Sequence, residues 1–181
     1  MKINFFRNYF KKIFLLENSL NNKILERISK KIYLESKKGG RVIVVGNGGS
    51  AAIASHITID LNNAAKINAI NLNDPSLITC YANDYGYENW VTKAFVSLVQ
   101  KNDVVILISS SGNSMNIVNA ARFLKNKNFF LITLSGFSKS NKLMKYGNIN
   151  LWCRSKKYNM VEATHFVWLL SIVDRIISLK H

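Results

Sequence analysis

The sequence predicts an α/β fold, a parallel sheet with helices packed on both of its faces. Short runs of β-branched or apolar residues alternate along the chain with longer stretches whose apolar residues recur three and four apart. The run at 104–108 lacks the alternation of a half-exposed strand and reads as a strand covered on both sides, and a run of β-branched residues stands at 41–45. Each of these two runs ends in a corner rich in glycine or serine that opens into a helical segment. No internal repeat points to a solenoid or propeller instead.

Taken in order, residues 3–17 and 22–36 are predicted helices, separated at Asn18, Ser19 and Asn21 and closed by Gly39 and Gly40. The first of them sets Lys11 and Lys12 opposite Phe6, Phe10, Ile13 and Phe14. That pattern is expected to bury its aromatic face against the domain or another subunit, in preference to a membrane interface. The strand at 41–45 leads through Gly46, Gly48 and Gly49 into a helix carrying His56 and Asp60. A second strand is expected over 66–72, then a turn at Asn73, Asp74 and Pro75, a short helix over 76–82, a turn over 83–86 and a helix over 88–99. The strand at 104–108 meets the corner Ser109-Ser110-Ser111-Gly112-Asn113-Ser114. A helix over 116–125, strands over 129–134 and 148–152, and a long helix over 160–179 complete the chain.

Composition narrows the function classes. At 181 residues, 48% hydrophobic and 11% aromatic, the chain suits one α/β domain and not disorder. Cys80 and Cys153 lack motif partners, so neither a disulfide framework nor a cysteine zinc site is expected, and a reducing cytoplasm fits. No apolar stretch is long enough for a membrane span, and the N-terminus lacks the pattern of a signal peptide. The formal charge of +15 is peripheral, with Lys and Arg clustered before residue 42 and over 139–157. Without an RNP, zinc-finger or basic-zipper signature, nucleic acid is not an expected partner.

The two corners carry the chemistry. Glycines at 46, 48 and 49 let successive N–H groups converge on one point, and a helix start adds the positive end of its dipole, so the first corner suits an anion. Gly46, Gly48 and Ala51 also match the dinucleotide pattern G-x-G-x-x-A, with Asp74 near a ribose-binding position. The extra Gly49, the hydroxyl of Ser50 and the hydroxyls of Ser109, Ser110, Ser111 and Ser114 favour a compact phosphate cradle. Helix capping would explain Ser109 or Ser114 singly, but not the cluster. In such sheets ligands sit beyond the carboxyl ends of the strands, where the winding reverses.

GNGGSAAIASHITIDL, the segment ANDYGY, and ISSSGNSMNIVNAA resemble the sugar-isomerase (SIS) domain family, in particular its phosphoheptose isomerase branch. The resemblance spans nearly the whole chain. It implies a three-layer α/β/α sandwich with a flavodoxin-like five-stranded parallel sheet. One SIS domain over 1–181 is expected, with a helical pair at 1–38 used in oligomerisation and a core at 39–181. A homotetramer with active sites made across subunits is implied, as is a phosphorylated sugar substrate. The implied substrate-binding set is Asn47, Gly48, Gly49, Ser50, Asp84, Ser109, Ser110, Ser111 and Ser114.

Aldose–ketose isomerisation moves a proton between adjacent carbons through an enediol, which needs a base near the carbon and an acid, or a metal, near the oxygen. His56 and Asp60 stand one helical turn apart and share a side; Glu162 and His165 do the same on the last helix. Asp60 and Glu162 are the expected proton-transfer residues, with His56 in support. The chain departs from the branch at four positions. Asp60 stands for a Glu, a shortening of about 1.5 Å; Glu162 stands for a Gln, Leu170 for a His, and Ala64 for an Arg. A zinc site of the family would draw on His56, Asp60, Glu162 and the position of Leu170, and leucine cannot ligate. Zinc on the remaining three is therefore possible and no cofactor is required. His165 is expected in a helix interface, Phe166 and Trp168 in packing, and Tyr85 and Tyr87 over the sugar pocket. The alternatives are an isomerase for a different phosphosugar and a SIS domain that binds a phosphosugar or a protein without turnover.

Overall fold

The computed structural model describes residues 3–180. Two helices, α1 (Ile3–Glu17) and α2 (Asn22–Ser36), precede β1 (Val42–Gly46), α3 (Gly49–Asn63) and β2 (Ala69–Asn71). Then come α4 (Pro75–Tyr85), α5 (Trp90–Leu98), β3 (Val104–Ser109), α6 (Met115–Asn126), β4 (Phe130–Ser135), β5 (Ile149–Trp152) and α7 (Tyr158–Ser178). All strand pairs are parallel and the sheet order is β2-β1-β3-β4-β5. The fold is the α/β sandwich that the alternating pattern predicts.

Each strand sends alternate side chains to opposite faces, and each face has its own apolar layer. Val44, Ile106 and Ile132 pack under α2, α3 and α7, against Ile28, Ile57, Trp168 and Ile172. Ile43, Val45, Leu107 and Leu131 pack under α5 and α6, against Trp90, Phe95, Ile117 and Leu124. Both faces are covered, which is why β1 and β3 read as unbroken apolar runs. The winding reverses between β1 and β3, whose ends lie side by side with Gly46 paired to Ile108. Both special corners therefore emerge at one crevice.

Several expectations need correction. The second strand is confined to Ala69–Asn71, because Lys66 adopts φ +49° and the Asn62 side chain both accepts from the Ala69 N–H and donates to the Ala69 carbonyl. The expected turn over 83–86 is mostly helix. Asp74 caps α4 by accepting from the Leu77 N–H at 3.0 Å, Pro75 starts it, and the helix runs on until Gly86, at φ +81°, ends it. The last helix starts two residues early, at Tyr158.

The aromatic face of α1 does not bury against the rest of the chain: Phe5, Phe6, Phe10 and Phe14 are each more than 60% exposed. The contact is made at the end of α1, where Leu16 meets the core and the Glu17 carbonyl accepts from Trp168 Nε1 on α7 at 2.9 Å. No helix among the described residues is long and apolar enough to cross a membrane.

Candidate active site

The first corner is sterically obligate. A Cβ at Gly46 would lie 2.6 Å from the Ser50 carbonyl group, so only glycine lets the chain reverse so tightly. Gly48 holds φ +54° and precedes the helix without a side-chain cap, while the Ala51 and Ala52 N–H groups close back onto its carbonyl. The turn brings Ser50, 3% exposed, to the inside.

The second corner turns at Gly112, where φ is +68° and a Cβ would collide with the Asn141 side chain. The Gly112 N–H donates to the Ser109 carbonyl at 2.8 Å, and the Gly112 carbonyl accepts from the Leu143 N–H. Ser109 Oγ donates to Ser114 Oγ at 3.2 Å, and Ser111 Oγ accepts from the Asn113 N–H. Ser114 precedes α6 but makes no capping bond with its side chain, so helix capping does not account for it.

These corners line a cavity of about 250 Å³. Asn47, Gly48, Gly49 and Ser50 line one side of it; Ser109, Ser110, Ser111 and Ser114 line the other; Tyr158 and Glu162 close it from α7. Ser50 Oγ and Ser110 Oγ are 3.3 Å apart, and Ser110 Oγ donates to Glu162 Oε1 at 3.3 Å. The Glu162 carboxylate lies directly over Gly49, where a Cβ would come within 2.4 Å of Oε2. The starts of α3 and α6 both face this space with the positive ends of their dipoles, the Glu162 carboxylate stands over the first of them, and the serine hydroxyls offer donors to an anion.

His56 and Asp60 lie elsewhere. Their spacing does bring them together, with Nε2 to Oδ2 at 3.2 Å, but on the outer side of α3, where the histidine is half-exposed and its ring meets Phe166 edge-on at 4.9 Å. Neither lines the cavity. Asp84 is likewise outside it, exposed near the end of α4 and accepting from Asn83 Nδ2 at 3.0 Å. Among the described residues no three His, Cys, Asp or Glu side chains converge as metal ligands. Glu162 accepts from Ser110, and Leu170 packs against the apolar core, so the donor set of one chain does not fit zinc.

His165 is buried in the helix interface, as expected. Its Nε2 hydrogen-bonds the Ser135 carbonyl at 3.1 Å and Nδ1 has no partner. Burial pushes its pKa down to about 4, so the ring is neutral at neutral pH. Two residues at or beside this cavity escaped the sequence reading. Tyr158 is an exposed residue with no motif around it. Asn116, 2% exposed, exchanges two hydrogen bonds with Asn47, at 2.9 and 3.0 Å. Its signal was a polar residue placed among apolar helix positions at the start of α6, since a buried carboxamide requires a partner.

The SIS domain family matches residues 6–136 of this chain. The chain is similar to the phosphoheptose isomerase of Cytophaga hutchinsonii, with 42% identity over 105 residues, about half of either protein at 55% of each. It is 36% identical over 148 residues to the phosphoheptose isomerase of Helicobacter hepaticus, covering 78% of this chain and 75% of that one. The solved phosphoheptose isomerase from Francisella tularensis superposes with a TM-score of 0.87 at 29% identity, over 98% of this chain and 97% of that chain. With the sheet order, the two corners and these similarities in agreement, the chain belongs to the SIS domain family, within its phosphoheptose isomerase branch of isomerase enzymes.

Proposed function

We propose that the chain interconverts a ketose phosphate and its aldose, most like the conversion of sedoheptulose 7-phosphate to D-glycero-D-manno-heptose 7-phosphate, in the cytoplasm, for surface polysaccharide. The hydroxyls of Ser109, Ser110, Ser111 and Ser114 hold the phosphate with the α6 N-terminus. Asn47, Gly48 and Gly49 close the phosphate cradle from the first corner, and Ser50 lines the sugar site. Glu162 takes the proton from C1 of the ketose and returns it to C2. Between those steps an enediol forms, as O2 gains a proton and O1 later loses one to leave the aldehyde. His56 and Asp60, supplied by a neighbouring subunit of a homotetramer, assist proton movement at the oxygens, and Asp84 contributes at the same subunit boundary.

One observation carries this reading: a carboxylate stands in the wall of a serine-lined, anion-attracting cavity, 3.3 Å from one of its hydroxyls. NMR of the protein with sedoheptulose 7-phosphate in deuterated water tests it. Deuterium is expected at C2 of the aldose, and Glu162→Gln is expected to slow exchange by about 10²–10⁴-fold while phosphosugar still binds. No exchange with the wild-type chain would overturn the reading for this sugar. A second reading, phosphosugar binding without turnover, draws on the placement of His56 and Asp60 outside the cavity and on the apolar Leu170. Binding without exchange is its expected outcome.

A further inference from the structure

We propose that Asn116 is a positioning residue: it fixes the orientation of Asn47, and so determines which polar group the first corner shows to the ligand. The inference rests on the reading that the cavity takes a phosphorylated ligand, and it names a residue outside the cavity wall. Asn116 sits in the first turn of α6, just after the serine corner, and is 2% exposed. Its carboxamide meets that of Asn47, 69 residues away in the chain, in a reciprocal pair. Asn47 Nδ2 donates to Asn116 Oδ1 at 2.9 Å, and Asn116 Nδ2 donates to Asn47 Oδ1 at 3.0 Å. The Tyr87 hydroxyl donates to the same Asn47 Oδ1 at 3.4 Å.

A carboxamide has two N–H donors and two acceptor sites on its oxygen. Asn116 and Tyr87 together occupy both acceptor sites of Asn47, and one of its N–H groups is spent on Asn116. One N–H remains. Asn47 therefore offers the cavity a donor, the polarity that a phosphate or sugar oxygen needs. The same clasp ties the corner after β1 to the helix after β3, while the Ser50 and Ser110 hydroxyls, 3.3 Å apart, join the two corners a second time. Asn116 thus acts through Asn47 and through corner spacing, never by touching the ligand.

Calorimetric titration of the full chain with inorganic phosphate tests this, alongside KM and kcat for sedoheptulose 7-phosphate. Asn116→Ala is expected to weaken phosphate about tenfold and to raise KM with kcat nearly unchanged, the pattern of a lost uniform contact. Asn47→Ala is expected to match it, and the double variant to be no weaker than Asn47→Ala alone, because one residue works through the other. Asn116→Asp keeps the acceptor and loses the donor, so Asn47 turns its oxygen outward and phosphate binding falls further than in Asn116→Ala. If the alanine variant fails to fold, Asn116→Asp and Asn116→Ser carry the comparison. Binding of phosphate by folded Asn116 variants within twofold of wild type, or fully additive losses in the double variant, would overturn the proposal. A wild-type chain that binds phosphate but does not isomerise removes only the isomerase reading and leaves these titrations decisive. One that binds no phosphate overturns both.

Discussion

His165 shows how one side chain's surroundings set a measurable property. Its ring is fully buried, Nε2 serves the Ser135 carbonyl and Nδ1 serves nothing, so burial outweighs the one bond that favours the charged ring. The folded pKa of about 4 lies below the unfolded value near 6.5, so between those limits the unfolded chain binds more protons than the folded one. The histidine's contribution to stability is therefore full above about pH 6.5 and is lost as pH drops toward 4, about 3 kcal/mol in all. Urea unfolding at pH 7 and 4.5 checks this against His165→Gln, which can still donate to Ser135 and does not titrate. The variant is expected to lose the histidine's share of the slope and keep the share of Glu35, whose carboxyl is held low by Lys31 and Lys38. An equal slope in both proteins would show that His165 is not the titrating group.

Between elements, the decisive contact is that of α7 on the start of α3. Glu162 rests on Gly49, and Gly49 does not have positive φ, so alanine there is strained only by the carboxylate above it. Gly49→Ala is expected to leave the unfolding midpoint within a few degrees of wild type, since the Glu162 side chain can swing away and alanine favours the helix. Isomerisation is expected to fall about 10²-fold, because the proposed base is displaced by about 1 Å or more. Full activity in this variant would show that Glu162 need not sit where it does. The two corners were legible in the sequence because glycine and serine clusters after apolar runs have few other uses, and the four-residue spacing of His56 and Asp60 correctly paired them. Their facing was not legible. Whether α3 turns that pair toward Glu162 or away depends on which of its stripes packs on β1, and Ile53, Ile57 and Leu61 put the pair outside. The length of β2 escaped for a similar reason, since the Asn62 side chain and the φ of Lys66 decide it, and neither belongs to the strand's own pattern.

At the scale of the molecule, two surfaces leave large apolar side chains exposed. One is the row of exposed phenylalanines on α1; the other is the outer side of α3 and α7, where Ile59 is 63% exposed beside His56 and Val167 is also exposed. Apolar patches of this kind on a polar surface mark association sites. Under the proposed tetramer, the second surface would carry His56 and Asp60 to the cavity of a neighbour, so that Glu162 and His56 of one functional site come from different chains. Complementation separates this from a site built within one chain. Glu162→Gln and the pair His56→Ala with Asp60→Asn are each expected to be inactive alone. Co-expressed and purified as mixed oligomers, they are expected to regain about a quarter of wild-type activity, because random mixing places two intact partners at that fraction of shared sites. A site contained in one chain leaves every mixture as inactive as its parents. Phe10→Glu on the α1 face supplies the control: light scattering is expected to show smaller oligomers with the fold intact by circular dichroism. Recovery of activity in the mixtures should disappear with it if the α1 face holds the assembly together.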